Sequence, residues 1–398
     1  MRIALVSQEY PPETGHGGIA TQTFAKATGL AARGHEVFVV TRSADGVRRE
    51  RSDRGVTVLR IVGSHDWSHV ATEPAQWLVW SVDVAAELAA LHRSVQLDLV
   101  DVPDYGGEGY VHLVNQAAWS RVPTVVHLHG PIAMLSATIG WPLPGSVLQV
   151  VGSHMEQTCL SLADAVISSS ECSLRWCAQK YAFDGAKVPI LHMGVDTDLF
   201  RPFADSPAHA RPTIVFAGRL AASKGVEALL EAALTLVDEW PALRLVLIGR
   251  GEPDMLARLR GRVAAAGHPD LLDLRGHLSH RELAKQLPHA DVFAAPSAYE
   301  GGPGLVYLEA MACGLPVIAC TGSGAAEVVD SGRTGLLVTP GDQDELVQAL
   351  RTLLGPQGRA LGRAGRRRAV ELYDVGERVV RLEEFYQDVV DAAGPQAP

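Results

Sequence analysis

Short runs of consecutive apolar residues alternate along this chain with longer stretches whose apolar positions recur every three or four residues. The first pattern suits a strand buried on both faces, the second an amphipathic helix. The chain opens with the strand-like run "RIALVS". A glycine-rich loop, "ETGHGG", leads into the helical stretch "IATQTFAKATGLAARG", expected to end with Gly34 as its C-terminal cap. "HEVFVVT" is the next strand. Strand, helix and strand in that order imply a parallel sheet with helices on its faces.

The same plan restarts near residue 213, where "TIVFAG" reads as a strand, "RLAASKG" as a loop, "VEALLEAALTLVDEW" as a helix and "LRLVLIG" as the next strand. Further strands are expected at "LLDLRG", "DVFAAPS", "LPVIAC" and "TGLLVTP". The pattern predicts two doubly wound α/β domains, residues 1–200 and 213–375, joined by the Pro- and Ala-rich linker 201–212. Ligands of open parallel sheets sit beyond the strands' carboxyl ends, so the ligand is expected in a cleft between the domains. The last stretch, 376–395, is amphipathic, with Val379, Leu382, Tyr386, Val389 and Val390 on one face.

A length of 398 residues exceeds what one core holds, in keeping with two domains. The formal net charge of −10 argues against a protein that coats nucleic acid. Two basic runs, "TRSADGVRRERSDRGV" and "GRALGRAGRRRAVELY", read as solvated faces, with an anionic partner as the alternative. The five cysteines (Cys159, Cys172, Cys177, Cys313, Cys320) form neither a Cys-x-x-Cys pair nor a zinc spacing. That odd count, and a start without leader-like regions, lead us to expect reduced thiols in a soluble, cytoplasmic protein. No apolar stretch reaches the ~18 residues of a membrane span.

Chemistry concentrates at the two glycine-bearing turns and at one later loop. "GHGGIA" fits the Gly-x-Gly-x-x-Ala pattern of dinucleotide folds. It trails its strand by several residues, however, and the second strand ends in "VVTRS", without an acidic residue for a ribose. Gly17 and Gly18 still let backbone amides approach an anion at a helix start, or simply form a turn. In the second copy, Arg219 and Lys224 flank the matching loop, and lysine is scarce, five against thirty arginines. Two cations at a helix N-terminus suit a diphosphate. In "SAYEGGPGLVYLEAMACGLPVIAC", Glu309 lies one turn into a helix, where a carboxylate accepts two hydrogen bonds from a vicinal diol such as ribose. Glu300 would accept from hydroxyls elsewhere on the ligand, and the amides of the turn, at Gly304 and Leu305, remain for phosphate. Together these residues would hold a sugar nucleotide. Taken alone, Glu300 reads equally as a surface residue and Glu309 as a helix N-terminal cap.

Taken in order, the motifs resemble a known family. "GGIATQTFAKATGLAARGHEVFVVT", "PTVVHLHG", "ADAVISSS", "HMGVDTDLFRP", "FAGRLAASKGVEALLEA", "LVLIGRGEP", "EGGPGLVYLEAMACGLPVIA" and "SGRTGLLV" are similar to the retaining, nucleotide-sugar-dependent glycosyltransferases. These have two Rossmann-like domains, the GT-B fold, and the likeness is to their large, family 4-like bacterial branch. The resemblance implies that Arg219 and Lys224 bind the donor diphosphate, that Glu300 lies near donor-sugar hydroxyls, and that Glu309 lies on the ribose. His129 of "HLHG" would sit near the reacting centre, the Gly17–Gly18 loop over diphosphate or acceptor, and a backbone contact to the base near Leu278. His127, in the same run, is expected on the opposite strand face. The C-terminal helix would cross back onto the N-terminal domain. One departure stands out: eight residues separate Glu300 from Glu309, where the family's Glu-x7-Glu motif has seven.

The resemblance implies transfer of a glycosyl unit from a nucleoside diphosphate sugar to a hydroxyl acceptor, with retention by front-face attack. The acceptor would be a small molecule, a saccharide or a lipid-linked sugar; no nucleic acid is expected. No obligatory metal or other cofactor is expected. The alternatives are a sugar-nucleotide epimerase or phosphorylase of the same fold, an NAD(P)-dependent oxidoreductase, or a non-catalytic subunit. Acceptor contacts are expected in "GSHDWSHVATEPAQW", "DVPDYGGEGY" and "GPIAMLSATIGWPLPGSVLQVV". The apolar part of the last reads as an acceptor lid, with peripheral contact at the inner membrane face as the alternative.

Overall fold

The computed structural model describes residues 1–14, 17–62, 73–117, 121–181, 183–203 and 211–394. Two compact units result, Met1–Gly194 with Val375–Pro398, and Val195–Asp374. Gly15 and His16 of the glycine loop, residues 63–72 of the first acceptor stretch, and residues 204–210 of the linker lie outside the described residues.

The first unit is built on a seven-stranded sheet. Its strands are β1 (Arg2–Val6), β2 (Glu36–Arg42), β3 (Arg49–Asp53), β4 (Val56–Ile61), β5 (Leu99–Pro103), β6 (Thr124–Leu128) and β7 (Ala165–Ser168). Across the sheet they run β3-β4-β2-β1-β5-β6-β7. Every pairing is parallel except β3 with β4, which is antiparallel. β3 is the second half of the first basic run and was not expected as a strand. An edge strand needs a partner on one side only, and "RERSD" leaves most of its side chains in solvent. Helices α1 (Gly18–Ala32), α2 (Glu73–Val95), α3 (Tyr110–Asn115), α4 (Ile132–Ile139), α5 (Val147–Leu162) and α6 (Glu171–Lys180) connect the strands.

The second unit has a six-stranded, fully parallel sheet. Its strands are β8 (Thr213–Ala217), β9 (Arg244–Ile248), β10 (Leu272–Gly276), β11 (Val292–Ala294), β12 (Val317–Cys320) and β13 (Gly335–Val338), in the order β10-β9-β8-β11-β12-β13. Helices α7 (Val226–Leu236), α8 (Pro253–Ala265), α9 (His280–Gln286), α10 (Leu305–Ala312), α11 (Gln343–Leu354) and α12 (Gly358–Tyr373) follow it. Starting at Val195, this unit includes residues assigned above to the first domain and the linker. The reason is packing: Val195 and Phe200 are buried in the second core, and the Val195 amide donates to the Tyr373 carbonyl at 2.8 Å.

The last helix, α13 (Val375–Ala393), belongs to the first unit. Val379, Leu382, Tyr386 and Val389 join the core that Ile3, Leu5 and Leu30 form, with Val390 at its edge. Burying such a stripe is what docks an amphipathic helix. The basic runs have internal partners. Arg48, Arg49 and Arg51 pair with Glu87, Asp45 and Glu13. Arg366 on α12 donates to the carbonyls of Thr197, Phe200 and Ala312 at 2.9–3.0 Å.

Candidate active site

In the second unit, β8 ends at Ala217 and the chain turns through Arg219 to a 3₁₀ turn, Ala222–Lys224, before α7. The turn closes on Gly225 at φ +71°, where a Cβ would collide with the Pro296 carbonyl oxygen, so only glycine fits. The amide of Ala298 donates to the Ser223 carbonyl at 2.9 Å, which ties this loop to the one after β11. Lys224 crosses the same gap. Its Nζ donates to Glu300 Oε1 at 2.6 Å and lies 3.4 Å from the Tyr299 carbonyl oxygen. The expected diphosphate cation and the expected sugar carboxylate are therefore partners. Arg219 is exposed, and among the described residues no carboxylate lies within ion-pair distance of it.

The Gly-Gly-Pro-Gly turn leads into α10 through Gly304 at φ +67°. No side chain caps this helix; the Tyr307 amide donates to the Gly304 carbonyl at 3.1 Å, and the amides before it have no side-chain cap. The Tyr307 hydroxyl, bonded to the Ala295 carbonyl at 2.6 Å, fixes α10 against the end of β11. Glu309 is 4% exposed, and its Oε1 lies 3.2 Å from Nε2 of His280, the first residue of α9. It does not cap its own helix, and the capping alternative falls. Hydrogen bonding to Glu309 raises the pKa of His280, a residue the sequence did not single out. Leu278, two residues before α9, is packed against the second core.

Gly17, Gly18 and His129 belong to the first unit. Gly17 is the N-cap of α1, Gly18 its first residue, and both are exposed. His129 follows β6, and its ring stacks on His127 with centroids 4.5 Å apart and planes 14° from parallel. The expectation that these rings lie on opposite faces is wrong, because residues two apart in a strand share a face. The buried carboxylate of Asp104 accepts the amides of His129 and Gly130 at 2.9 and 3.2 Å. Glu156 accepts from the Gly106 and Ile132 amides and, at 2.7 Å, from the Tyr181 hydroxyl. Burial pushes both acids up, Asp104 to about 6 and Glu156, beside Asp104, to about 8. Burial, then His127 and Lys26, hold the His129 imidazole well below its usual value of 6.5. The third acceptor stretch forms α4 and the start of α5, leaving Trp141, Leu143, Val147 and Val150 exposed.

Two doubly wound α/β units, the second with Lys224 and Glu300 paired beyond the carboxyl ends of β8 and β11, have the architecture of the GT-B fold. Residues 16–199 match Glycosyltransferase Family 4, and residues 211–355 match Glycosyl transferases group 1. D-inositol 3-phosphate glycosyltransferases of Mycobacterium tuberculosis and Mycobacterium bovis are 30% identical over 380 residues, spanning 90% of this chain and 76% of theirs. A sucrose-phosphate synthase from Thermosynechococcus elongatus superposes with a TM-score of 0.83 at 25% identity, covering 98% of this chain and 99% of that one. The Anabaena HepE protein, solved with UDP-glucose, shares the fold at a TM-score of 0.73 and 20% identity, over 98% of this chain and 100% of that one. The chain belongs to the family 4-like, group 1 glycosyltransferases. The comparisons favour neither the oxidoreductase nor the epimerase or phosphorylase alternative. Among the described residues no helix is long and apolar enough to cross a membrane.

Proposed function

We propose that the chain is a retaining, metal-independent glycosyltransferase that moves a hexosyl unit from a nucleoside diphosphate sugar to a hydroxyl acceptor. The observation that carries this reading is the convergence, in the second unit, of Lys224 on Glu300 beside an uncapped helix start, with Glu309 buried one turn further on. Lys224 and Arg219, with the amides of Gly304 and Leu305, take the diphosphate. Glu309, steadied by His280, takes the ribose diol, and backbone groups near Leu278 take the base. Glu300 accepts from donor-sugar hydroxyls while orienting Lys224. The bond from the anomeric carbon to the diphosphate breaks, and the acceptor oxygen bonds to that carbon on the same face. The acceptor proton passes to the departing phosphate oxygen. Charge grows on the diphosphate as its bond breaks, so the fixed cations act most strongly in the transition state.

The first unit takes the acceptor. His129, reached through the Asp104-bound turn, serves the reacting sugar or acceptor, and Gly17 and Gly18 keep the start of α1 open to an anionic group. UDP-glucose in HepE supports a nucleotide sugar as donor, and the inositol phosphate acceptor named for the mycobacterial relatives supports a small polar acceptor. The test is proton NMR of the product formed with EDTA present. The donor's anomeric configuration preserved at undiminished rate is expected. An inverted product, or a rate restored only by added divalent metal, overturns the retaining or the metal-independent part.

A further inference from the structure

The buried polar groups behind His129 exceed what packing α1 on its sheet requires. Lys26, in the middle of α1, is 6% exposed, Asp101 on β5 is 2% exposed and His127 on β6 is 1% exposed. Taking an ammonium and a carboxylate out of water costs several kcal/mol each, and an apolar pair would avoid that cost. Lys26 Nζ donates to Asp101 Oδ1 at 2.8 Å and lies 3.4 Å from His127 Nδ1. The other Asp101 oxygen accepts the hydroxyl of Tyr386, brought in by α13.

His127 Nδ1 faces both Lys26 Nζ at 3.4 Å and Asp101 Oδ2 at 3.8 Å. The nearer group is an ammonium with three donors and no acceptor, which favours an unprotonated Nδ1 and a ring proton on Nε2. His127 Nε2 lies 3.3 Å from Gln22 Nε2, donor against donor, while Gln22 Oε1 is buried without a partner. A half-turn of the amide exchanges its oxygen and nitrogen without moving any other atom. Gln22 Oε1 then accepts from His127 Nε2–H, which removes the donor–donor contact.

We infer that Lys26 and Gln22 are positioning residues that lock His127 as its neutral Nε2–H tautomer, the flat support on which the His129 ring is stacked. The charged groups acting on the two rings are Lys26 from α1 and Asp101 from β5; Tyr386 from α13 donates to Asp101, and Asp104, in the loop after β5, holds the His129 backbone amide. Burial, then Lys26, lower His127, and burial, His127 and Lys26 lower His129, against the raising effect of Asp101. His129 therefore meets its ligand as an uncharged imidazole. Its consequence for turnover rests on the proposed role of His129; the tautomer and the titration do not.

The test is two-bond proton–nitrogen NMR of the full chain with labelled histidine, the two signals assigned by His127→Gln and His129→Gln. The wild-type protein is expected to show His127 as the Nε2–H tautomer and both rings still neutral below pH 6.5. In Lys26→Met both midpoints should rise by about 1–3 units. A His127 proton on Nδ1, or a wild-type midpoint at the ordinary value, overturns the inference, and the wild-type spectrum alone decides this even if Lys26→Met does not fold. Gln22→Leu, which keeps Lys26, should broaden His127 into a tautomer mixture; an unchanged spectrum counts against the lock. The acid limb of kcat in Lys26→Met is expected to follow His129 upward. If the midpoints move and the kcat profile does not, the network stands and the role of His129 in turnover fails.

Discussion

Lys224→Met separates catalysis from folding at the centre of the second unit. Methionine keeps the length of the stem and removes only the ammonium. In the structure that ammonium donates to Glu300 at 2.6 Å, with the two side chains 24% and 18% exposed. A pair open to solvent to this extent contributes about 1 kcal/mol of stability or less. In a domain of this size that lowers Tm by about 2–4 °C. As one of the cations on a leaving diphosphate, Lys224 acts on charge that develops in the transition state. Removing such a donor costs about 2.7–4 kcal/mol, a 10²–10³-fold loss in kcat/KM. The two effects differ enough to be told apart by steady-state kinetics and a thermal melt on one preparation. The double variant Lys224→Met/Glu300→Gln closes the cycle: if Lys224 acts on the diphosphate, removing Glu300 as well restores no activity. Near-wild-type turnover in Lys224→Met, or recovery in the double variant, refutes the assignment and leaves the pair as a loop fastener.

Three further outcomes are expected. Glu309→Gln keeps the shape and loses an acceptor, so the donor KM should rise about tenfold, roughly 1.4 kcal/mol, with a smaller change in kcat; an unchanged KM removes the ribose contact. Glu156 has its folded pKa raised to about 8 from 4.5, so the folded state binds the extra proton between those values, and stability falls as pH rises through that window. Glu156→Gln, isosteric with the protonated acid, should flatten that decline in melts from pH 5 to 9, and an unaltered slope contradicts the raised value. Arg366→Met strands the carbonyls of Thr197, Phe200 and Ala312 and should destabilise the second unit by about 3 kcal/mol in urea unfolding, against no change if the arginine is only a surface charge.

β1, β2 and the strands of the second sheet were legible because a parallel sheet covered on both faces demands unbroken apolar runs such as "TIVFAG" and "LPVIAC", while β4, β5 and β7 were not singled out. β3 was not, since an edge strand in solvent carries no such run. The docking stripe of α13 was readable from its spacing, and Tyr386 at its centre packs fully buried. The site was legible as residue types near turns, and less so as partners. Lys224 and Glu300 were each assigned a ligand group, and their pairing depends on two loops that are far apart in sequence. His280 carried no signal, since it lies in a polar helix start and matters only because Glu309 reaches it from α10. Lys26 did leave one: the scarcity of lysine that marked Lys224 marks it equally, in the middle of a helix whose face toward the sheet also holds Gln22 and Thr23. The stacking of His127 on His129 followed from strand geometry, and the opposite expectation misapplied a two-residue period.

In the proposed function the second unit binds a nucleoside diphosphate through Lys224, Arg219 and Glu309. The measurement that meets it most directly is the thermal shift of the full chain with UDP, GDP, ADP and TDP beside NAD and NADP. A ligand at about 100 times its Kd stabilises the folded state by about 2.7 kcal/mol. A clear upward shift with one nucleoside diphosphate is expected, lost in Lys224→Met and reduced in Glu309→Gln. A shift with a nicotinamide cofactor alone, or a diphosphate shift that survives both substitutions, contradicts it.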